Sequence, residues 1–325
     1  MLVLRADPWS ADYGMGYEAV ADDTPFPSAD PFVETTDWSR PIPATATATG
    51  PLWFVDGVRR VELRLVAEQD GERVPGLFGS YGVGAVVCDG TARFDDHCIR
   101  RAVVLCCGVM PERAELSVGT ASLVFDPTTD PGSDPNRALL RLQELMRAEE
   151  DALAARLLLH GAALVLVDGP LRLGSEPNDA PMVGVVKRFV RRYLEPEHES
   201  LLGRLRPGER TPLFGLVDQQ ADLRGYSWYT RLADAGPPWH DHAGIVRCEV
   251  RAGVRLDGAR GLADRTTALL PAYAGRPTDP RAPQNLAPVA GLEGWLRHRM
   301  GDHRMIRRSL LAWLAGGSRG GEGSG

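Results

Sequence analysis

The chain has 325 residues, of which 43% are hydrophobic, so it can bury a substantial core in one large domain or two ordinary ones. Its formal net charge of −6 argues against attraction of nucleic acid to the whole surface, although it leaves room for a local basic area. The five cysteines form no Cys-x-x-Cys pair, which excludes a disulfide scaffold or zinc ribbon and indicates a reduced, cytoplasmic protein. We expect neither a signal peptide nor a membrane helix, because no apolar run approaches the required length of about 20 residues.

The composition divides the chain into three parts. Residues 1–50 are rich in Pro, Asp, Thr and Ala, which predicts an extended N-terminal arm with little structure of its own. Residues 51–315 contain apolar runs and helical patterns, and we expect them to form one folded domain of the α/β class. Residues 316–325 consist mainly of Gly and Ser, which predicts a disordered tail.

Two apolar runs end in the same dipeptide. Residues 52–58 read LWFVDGV and residues 163–171 read ALVLVDGPL. An unbroken apolar run that ends in such a turn sequence predicts a buried central strand with an open carboxyl end. Two such strands in one sheet could bring Asp56 and Asp168 together, and paired carboxylates supply the hard oxygen ligands that divalent ions need. The alternative is that each Asp-Gly only marks a tight turn.

A helix predicted over residues 136–160 carries a carboxylate on its apolar side. Its apolar stripe consists of Leu142, Met146, Leu153 and Leu157. Glu149 falls on that stripe at i+3 and i+4 spacing, and a core-facing carboxylate needs a partner or a metal because an isolated buried charge is very costly. We therefore predict that Glu149 binds metal. The alternatives are that Glu150 takes this place if the helix is rotated, or that Glu149 pairs with Arg156.

Basic and aromatic residues later in the chain are candidates for DNA contacts. Lys187 follows the apolar run 182–186, where its ammonium could neutralise a scissile phosphate. Residues 228–232 interleave aromatic side chains with arginine, a composition that suits stacking on bases and gripping a backbone. We predict nucleic-acid binding for Arg188, Tyr229, Arg231 and Arg247. The alternatives are a solvated helix face after Lys187 and ordinary strand composition at 228–232.

Taken in order, these segments resemble the NurA nucleases. The resemblance spans about residues 52–300 and rests on FVDG at 54–57, the helix with Glu149, VLVDGPL at 165–171, GVVKR at 184–188, WYTRL at 228–232 and VRCE at 246–249. It implies an RNase H-like fold, with a mixed sheet flanked by helices. It also implies that Asp56, Glu149 and Asp168 are catalytic metal ligands. Independently of the resemblance, the arginines of residues 297–308 predict a basic C-terminal helical region, and Lys187 is a candidate catalytic residue through the scissile phosphate.

The same resemblance implies an activity, a cofactor and partners. They are cleavage of DNA as a 5′-to-3′ exonuclease or an endonuclease, Mn²⁺ or Mg²⁺ bound as a pair of ions, a HerA-like hexameric ATPase, and a homodimer. One departure concerns a histidine that NurA proteins usually carry near the C-terminus. Residues 283–288 read PQNLAP here, and Asn285 is the polar residue that could replace that metal ligand.

Two other functions compete with the nuclease. A NurA-like adaptor would couple DNA to the ATPase without cutting it, and the missing histidine and acidic charge favour that alternative. A zinc-binding module would use His240 and His242, which have ligand spacing but lack the three or four converging ligands usual for zinc.

Overall fold

The computed structural model describes residues 3–6, 28–45, 50–172, 179–187, 192–234, 236, 239–276 and 284–317. These residues form a large mixed sheet flanked by helices, which confirms the predicted α/β fold class. The described strands are β1 (Val3–Ala6), β2 (Ser28–Asp30), β3 (Ile42–Pro43), β4 (Leu52–Gln69), β5 (Glu72–Asp89), β6 (Thr91–Leu105), β7 (Ala114–Val118), β8 (Ala121–Thr129), β9 (Val165–Asp168), β10 (Met182–Val186), β11 (Glu209–Arg210), β12 (Phe214–Val217), β13 (Leu223–Arg231) and β14 (Ile245–Arg251). The described α-helices are α1 (Pro135–Leu159), α2 (Pro196–Glu199), α3 (Arg255–Leu269), α4 (Ala287–Arg299) and α5 (His303–Gly317).

The centre of the sheet has the RNase H-like strand order that the resemblance implies. Strands β4, β5 and β6 form an antiparallel meander, and α1 leads from its far side back to β9. Strand β9 lies parallel to β4, and β10 lies parallel to β9 on its other side. The order is therefore β6-β5-β4-β9-β10, with β14, β13 and β12 extending it in antiparallel fashion.

The two longest strands are joined by a very short turn. Only Asp70 and Gly71 separate β4 from β5, and both adopt positive φ, at 52° and 83°. Asp-Gly is favoured in such two-residue hairpins because both positions need left-handed backbone. The turn sets the register next to it, and a register shift between Val61 and Leu63 then leads to the pairing of Asp56 with Gly84 towards the far end of the hairpin.

The two faces of the sheet carry different helices. Val55 packs in the cluster that includes the apolar side of α1, whereas Phe54 and Val58 pack in the cluster with Leu292 of α4. Because side chains alternate between the faces of a strand, Asp56 points to the same face as Phe54 and Val58, towards α4.

Parts of the N-terminal arm belong to the sheet. Strand β1 pairs with β4, β2 pairs with β12, and β3 pairs with β11. The carboxylate of Glu34 accepts hydrogen bonds from Arg210 at 2.9 Å and from the backbone N–H of Leu213 at 2.6 Å. The described part of residues 1–50 therefore differs from the predicted arm, because its backbone groups and one acid find partners in the body. Of the predicted tail, residues 316–317 belong to α5 and residues 318–325 lie outside the described residues.

None of the helices in the described ranges is both long enough and apolar enough to cross a membrane.

Candidate active site

Asp56 and Asp168 lie side by side on neighbouring parallel strands. Val55 of β4 is in register with Val167 of β9, so the next residue on each strand is an aspartate. Leu166 packs on the α4 face of the sheet, and alternation places Asp168 on that face together with Asp56. The prediction that these two carboxylates come together agrees with this placement. Only Asp168 ends its strand, however, because β4 continues past Asp56 to Gln69.

A third carboxylate comes from helix α4, where the sequence analysis made no prediction. One carboxylate oxygen from each of Asp56, Asp168 and Glu293 lies within 4.8 Å of the other two. Glu293 is four residues after Val289 and three before Leu296, both of which are buried. A search for a carboxylate at i+3 and i+4 spacing from apolar residues, as made for the predicted helix at 136–160, would therefore have found Glu293 as well. Glu293 also accepts a hydrogen bond from Arg297 at 2.7 Å, an ordinary i,i+4 pair.

Lys187 joins the cluster from the end of β10. Its ammonium lies 2.8 Å from the carboxylate of Asp168 and donates a 3.2 Å hydrogen bond to the side-chain oxygen of Asn285. Asn285 is 8% exposed and precedes α4, so it connects that helix to the strand end. The structure thus brings the two predicted residues together, with the Asn285 oxygen directed at the lysine.

Helix α1 presents Glu150, and not Glu149, to the strand ends. Glu150 is 5% exposed and lies against Gly57, where an added Cβ would meet its Oε1 at 2.5 Å. Glu149 is partly exposed, accepts a 3.5 Å hydrogen bond from the thiol of Cys98 and lies 3.9 Å from Arg100. This corrects the prediction for Glu149. Ala154, four residues after Glu150, is also buried, so α1 is rotated such that Glu150, the alternative of the sequence analysis, faces the sheet.

Burial and crowding change the proton affinity of two of these acids. Desolvation raises the pKa of Asp56 well above its usual range, and the nearby carboxylates of Asp168 and Glu150 raise it further. Desolvation also raises the pKa of Glu150 to about 8, while Arg147 opposes and Asp168 adds to that shift. Without a cation these two carboxyls therefore favour their protonated forms, and a bound cation would favour the ionised forms.

The cluster fits a divalent metal ion. Its carboxylates are the hard oxygen ligands preferred by Mg²⁺ and Mn²⁺. In addition, Oδ2 of Asp56 is buried and has no hydrogen-bond partner within the part of the chain that the structure describes. A buried carboxylate oxygen without a partner is costly, so a cation bound to this atom would stabilise it. Asp56, Asp168 and Glu293 are the residues that could hold the ion.

Three of the four predicted nucleic-acid contacts lie in the interior. Tyr229 stacks on Phe214 with ring centroids 5.7 Å apart, and Arg231 donates to backbone carbonyls, including that of Ala243 at 2.9 Å. Arg247 is 3% exposed and forms a buried ion pair with Glu249. This corrects the prediction for these three residues, since buried side chains that are held by their own chain cannot bind a strand at the surface. Arg188 lies outside the described residues.

The histidine pair in the loop before β14 contains no metal centre among the described residues. The ring centroids of His240 and His242 are 4.8 Å apart, and the backbone N–H of His242 donates a hydrogen bond to Nδ1 of His240. The acidic cluster around Asp56 is the one ligand group found within the described ranges.

Comparison with known protein families decides the assignment. The family model described as the NurA domain matches residues 102–289, which are 188 of the 325 residues and therefore more than half of the chain. The chain belongs to the NurA domain family. This membership supports a nuclease whose substrate is DNA. The NurA match contains Glu150, Asp168, Lys187 and Asn285, whereas Asp56 precedes it and Glu293 follows it.

Two solved structures show weaker similarity to this NurA chain. Human ENDOV is 17% identical, with 85% of this chain and 92% of its own chain covered and a TM-score of 0.33. Endonuclease V of Ciona intestinalis, in complex with a 24mer DNA containing an inosine followed by a ribo-adenosine, is 10% identical. The similarity covers 79% of this chain and 87% of the Ciona intestinalis chain, with a TM-score of 0.33. No curated protein sequence matches this chain.

Proposed function

We propose that this NurA-family chain is a metal-dependent deoxyribonuclease that processes DNA ends. The observation that carries the proposal is the convergence of Asp56, Asp168 and Glu293 within 4.8 Å on one face of the sheet. Carboxylates at this spacing repel one another, which is costly for folding and is of use in a protein that binds a divalent cation. A nuclease needs such a cation, because phosphodiester cleavage generates charge on both the attacking and the leaving oxygen.

Each residue of the cluster has a distinct part in the proposal. Asp56 within β4 and Asp168 at the end of β9 would hold the ion together with Glu293 of helix α4. Glu150 lies behind Gly57 and supplies a further carboxylate, either to a second ion or to a bound water. Lys187 binds a phosphate oxygen of the scissile group, and Asn285 orients its ammonium at 3.2 Å.

When bound, the ion supplies a nucleophile by lowering the pKa of a coordinated water, and it polarises the phosphate. The chain's own residues orient the reacting groups. The three carboxylates fix the ion relative to Lys187, and the rigid β4–β9 pairing fixes Asp56 relative to Asp168. We propose Mn²⁺ as the preferred ion, since Mg²⁺ demands near-ideal octahedral geometry and dehydrates reluctantly.

A motor partner is the second part of the proposal. The net charge of −6 gives the isolated chain weak attraction for DNA at physiological salt. We propose exonuclease action on ends that a HerA-like hexameric ATPase delivers, with the nuclease acting as a homodimer in the cytoplasm. The five free cysteines are consistent with a reducing compartment.

One observation favours the non-catalytic adaptor as a second candidate. The Lys187 ammonium already neutralises Asp168 at 2.8 Å, and a lysine can replace a cation in a carboxylate cluster. In that case the acids and the lysine would form a structural network, and the chain would guide DNA to the ATPase without cutting it.

An end-labelled DNA degradation assay distinguishes the two candidates. The parent chain should release nucleotides with Mn²⁺, and addition of a HerA-like ATPase with ATP should increase processivity. Lys187→Met should reduce cutting while metal binding persists, because the lysine acts on phosphate in the nuclease. If the parent does not cut DNA with Mn²⁺ and the ATPase present, the adaptor replaces the nuclease as the function.

A further inference from the structure

A cavity of about 380 Å³ opens beside the carboxylate cluster, on the same face of the sheet. Its walls come from the β5–β6 hairpin, the 3₁₀ turn at 270–273 and the first turns of α4. Side chains or backbone of Cys88, Thr91, Phe94, Tyr273, Pro288 and Gly291 line it. The volume lies at the lower end of the range of about 300–1,000 Å³ typical of small-molecule cavities.

The cavity and the cluster share two structural elements. Gly291 lines the cavity and Glu293 belongs to the cluster. They are about 3 Å apart along the axis of α4 but lie on opposite sides of the helix, so the cavity and the cluster flank α4 at the same level. Asp56 pairs with Gly84 on β5, and Val86 and Cys88 on that strand line the cavity. These residues are two and four positions from Gly84, or about 7 and 14 Å at about 3.4 Å per residue. A group in the cavity is therefore within the reach of a strand whose phosphate lies at the cluster.

The rim of the cavity combines aromatic rings with a positive charge. Phe94 is 46% exposed and stacks on Trp295, with centroids 4.6 Å apart and planes at 13°. The guanidinium of Arg299 lies over Trp295 at 5.6 Å, and His97 contacts the same indole edge-on at 4.6 Å. An exposed phenylalanine that stacks on an indole, with a guanidinium over that same indole, suits a flat aromatic ligand attached to an anion.

We propose that this cavity receives one unpaired nucleobase of the DNA strand whose phosphate lies at the carboxylate cluster. The proposal rests on the proposed function, since the cluster supplies the position of the strand. The base stacks against Phe94 while the hydroxyls of Thr91 and Tyr273 face its polar edge, and Arg299 neutralises the adjoining phosphate. The occupant is an unpaired base, because a base must leave the duplex stack to enter a concave cavity, so the site selects unpaired ends.

Two glycines on α4 provide a matched pair of variants. An added Cβ meets no atom within 4 Å at either Gly291 or Gly294, and both are exposed, but only Gly291 lines the cavity. Gly291→Leu should fill the cavity without disturbing the helix, and Gly294→Leu makes the same chemical change outside it. Equal melting temperatures of the two variants would show that both fold.

The measurement is binding of single-stranded oligo(dT) that carries one 2-aminopurine, at low salt with Ca²⁺ in place of the catalytic ion, so that the strand can be held at the cluster without being cut. Stacking quenches 2-aminopurine, so the parent should quench it at one position of the oligonucleotide. Gly291→Leu should lose that quenching and weaken binding about fivefold or more, whereas Gly294→Leu should match the parent. Phe94→Leu should also lose the quenching, and Phe94→Tyr should retain it.

The outcomes separate this proposal from the nuclease. Quenching by a parent that never cuts DNA with Mn²⁺ would support the base site and contradict the nuclease. Cutting by a parent that quenches 2-aminopurine at no position would overturn the base site alone. Equal losses in Gly291→Leu and Gly294→Leu, or losses in neither, would also overturn it.

Discussion

Gly57 and Glu150 are in such close contact that strand β4 has no room for a side chain at that point. A Cβ on Gly57 would lie 2.5 Å from Oε1 of Glu150 and 2.8 Å from Cγ of Met146. Helix α1 therefore rests directly on the backbone next to Asp56, which places the Glu150 carboxylate behind the metal-binding face.

This contact predicts that Gly57→Ala destabilises the protein by about 1–3 kcal/mol, the usual cost of overpacking. Thermal denaturation should show a lower Tm than the parent. Gly261→Ala is the control, since a Cβ there meets no atom within 4 Å and alanine is the better helix former. Equal effects of the two substitutions would contradict the close packing of α1 on Gly57.

The raised pKa of Glu150 predicts a pH dependence of stability. Below pH 4.5, its ordinary value, the carboxyl is protonated in both the folded and unfolded chain. Between 4.5 and about 8 the unfolded chain releases this proton and the folded chain keeps it, so the cost to folding grows as the pH rises. Glu150→Gln should therefore stabilise the metal-free protein more at pH 8 than at pH 5, by at least about 1 kcal/mol.

Chemical denaturation in EDTA at the two pH values tests this difference. Glu149→Gln is the control, because it makes the same chemical change at the neighbouring, partly exposed position of α1. A pH-independent effect of Glu150→Gln would show that this carboxyl is not buried beside Asp168.

The third carboxylate of the cluster is tested by metal affinity. Calorimetric titration with Mn²⁺ should show Glu293→Gln binding at least about tenfold more weakly than the parent, since even outer-shell changes cost 10–100-fold. Glu149→Gln should bind like the parent because its carboxylate lies at Cys98 and Arg100. The reverse order would restore Glu149 as the ligand and remove Glu293.

Glu34 of the N-terminal segment forms ion pairs with two arginines, and substitution of each arginine tests whether this segment belongs to the folded body. Arg210 is 2% exposed and lies 2.9 Å from Glu34, whereas Arg260 is 40% exposed and lies 3.4 Å from it. Arg210→Leu should cost about 3–5 kcal/mol because it leaves Glu34 with too little compensation in the interior. Arg260→Leu should cost at most about 1 kcal/mol. Similar small losses of unfolding free energy in urea would mean that the segment is only loosely attached.

The strand residues of the site could be predicted because each is the first polar residue after an apolar run that is buried on both faces. Asp168 ends β9 as expected, whereas β4 continues past Asp56 to Gln69 because its later residues remain in the core. Lys187 follows the same rule at β10, and the three side chains share a face because their strands are parallel and in register.

The helical residues could not be fixed in this way. Glu149 and Glu150 both lie three or four positions from Met146 and Leu153, so periodicity alone leaves the choice to the rotation of α1. The buried Ala154 decides that rotation, and a small apolar residue is a weak signal in a sequence. The prediction of DNA contacts at Tyr229, Arg231 and Arg247 was wrong for another reason. The composition of a strand does not show which of its polar side chains the fold buries and pairs.

The most direct test of the account is Mn²⁺-dependent cleavage of end-labelled DNA by the parent and by Asp168→Asn, which keeps the shape of the side chain and removes its charge. Glu144→Gln, an exposed change on the outer side of α1, is the control. We predict cutting by the parent and by Glu144→Gln, and a loss of at least about 100-fold in Asp168→Asn with DNA binding retained. Undiminished cutting by Asp168→Asn would contradict the metal site at Asp56, Asp168 and Glu293.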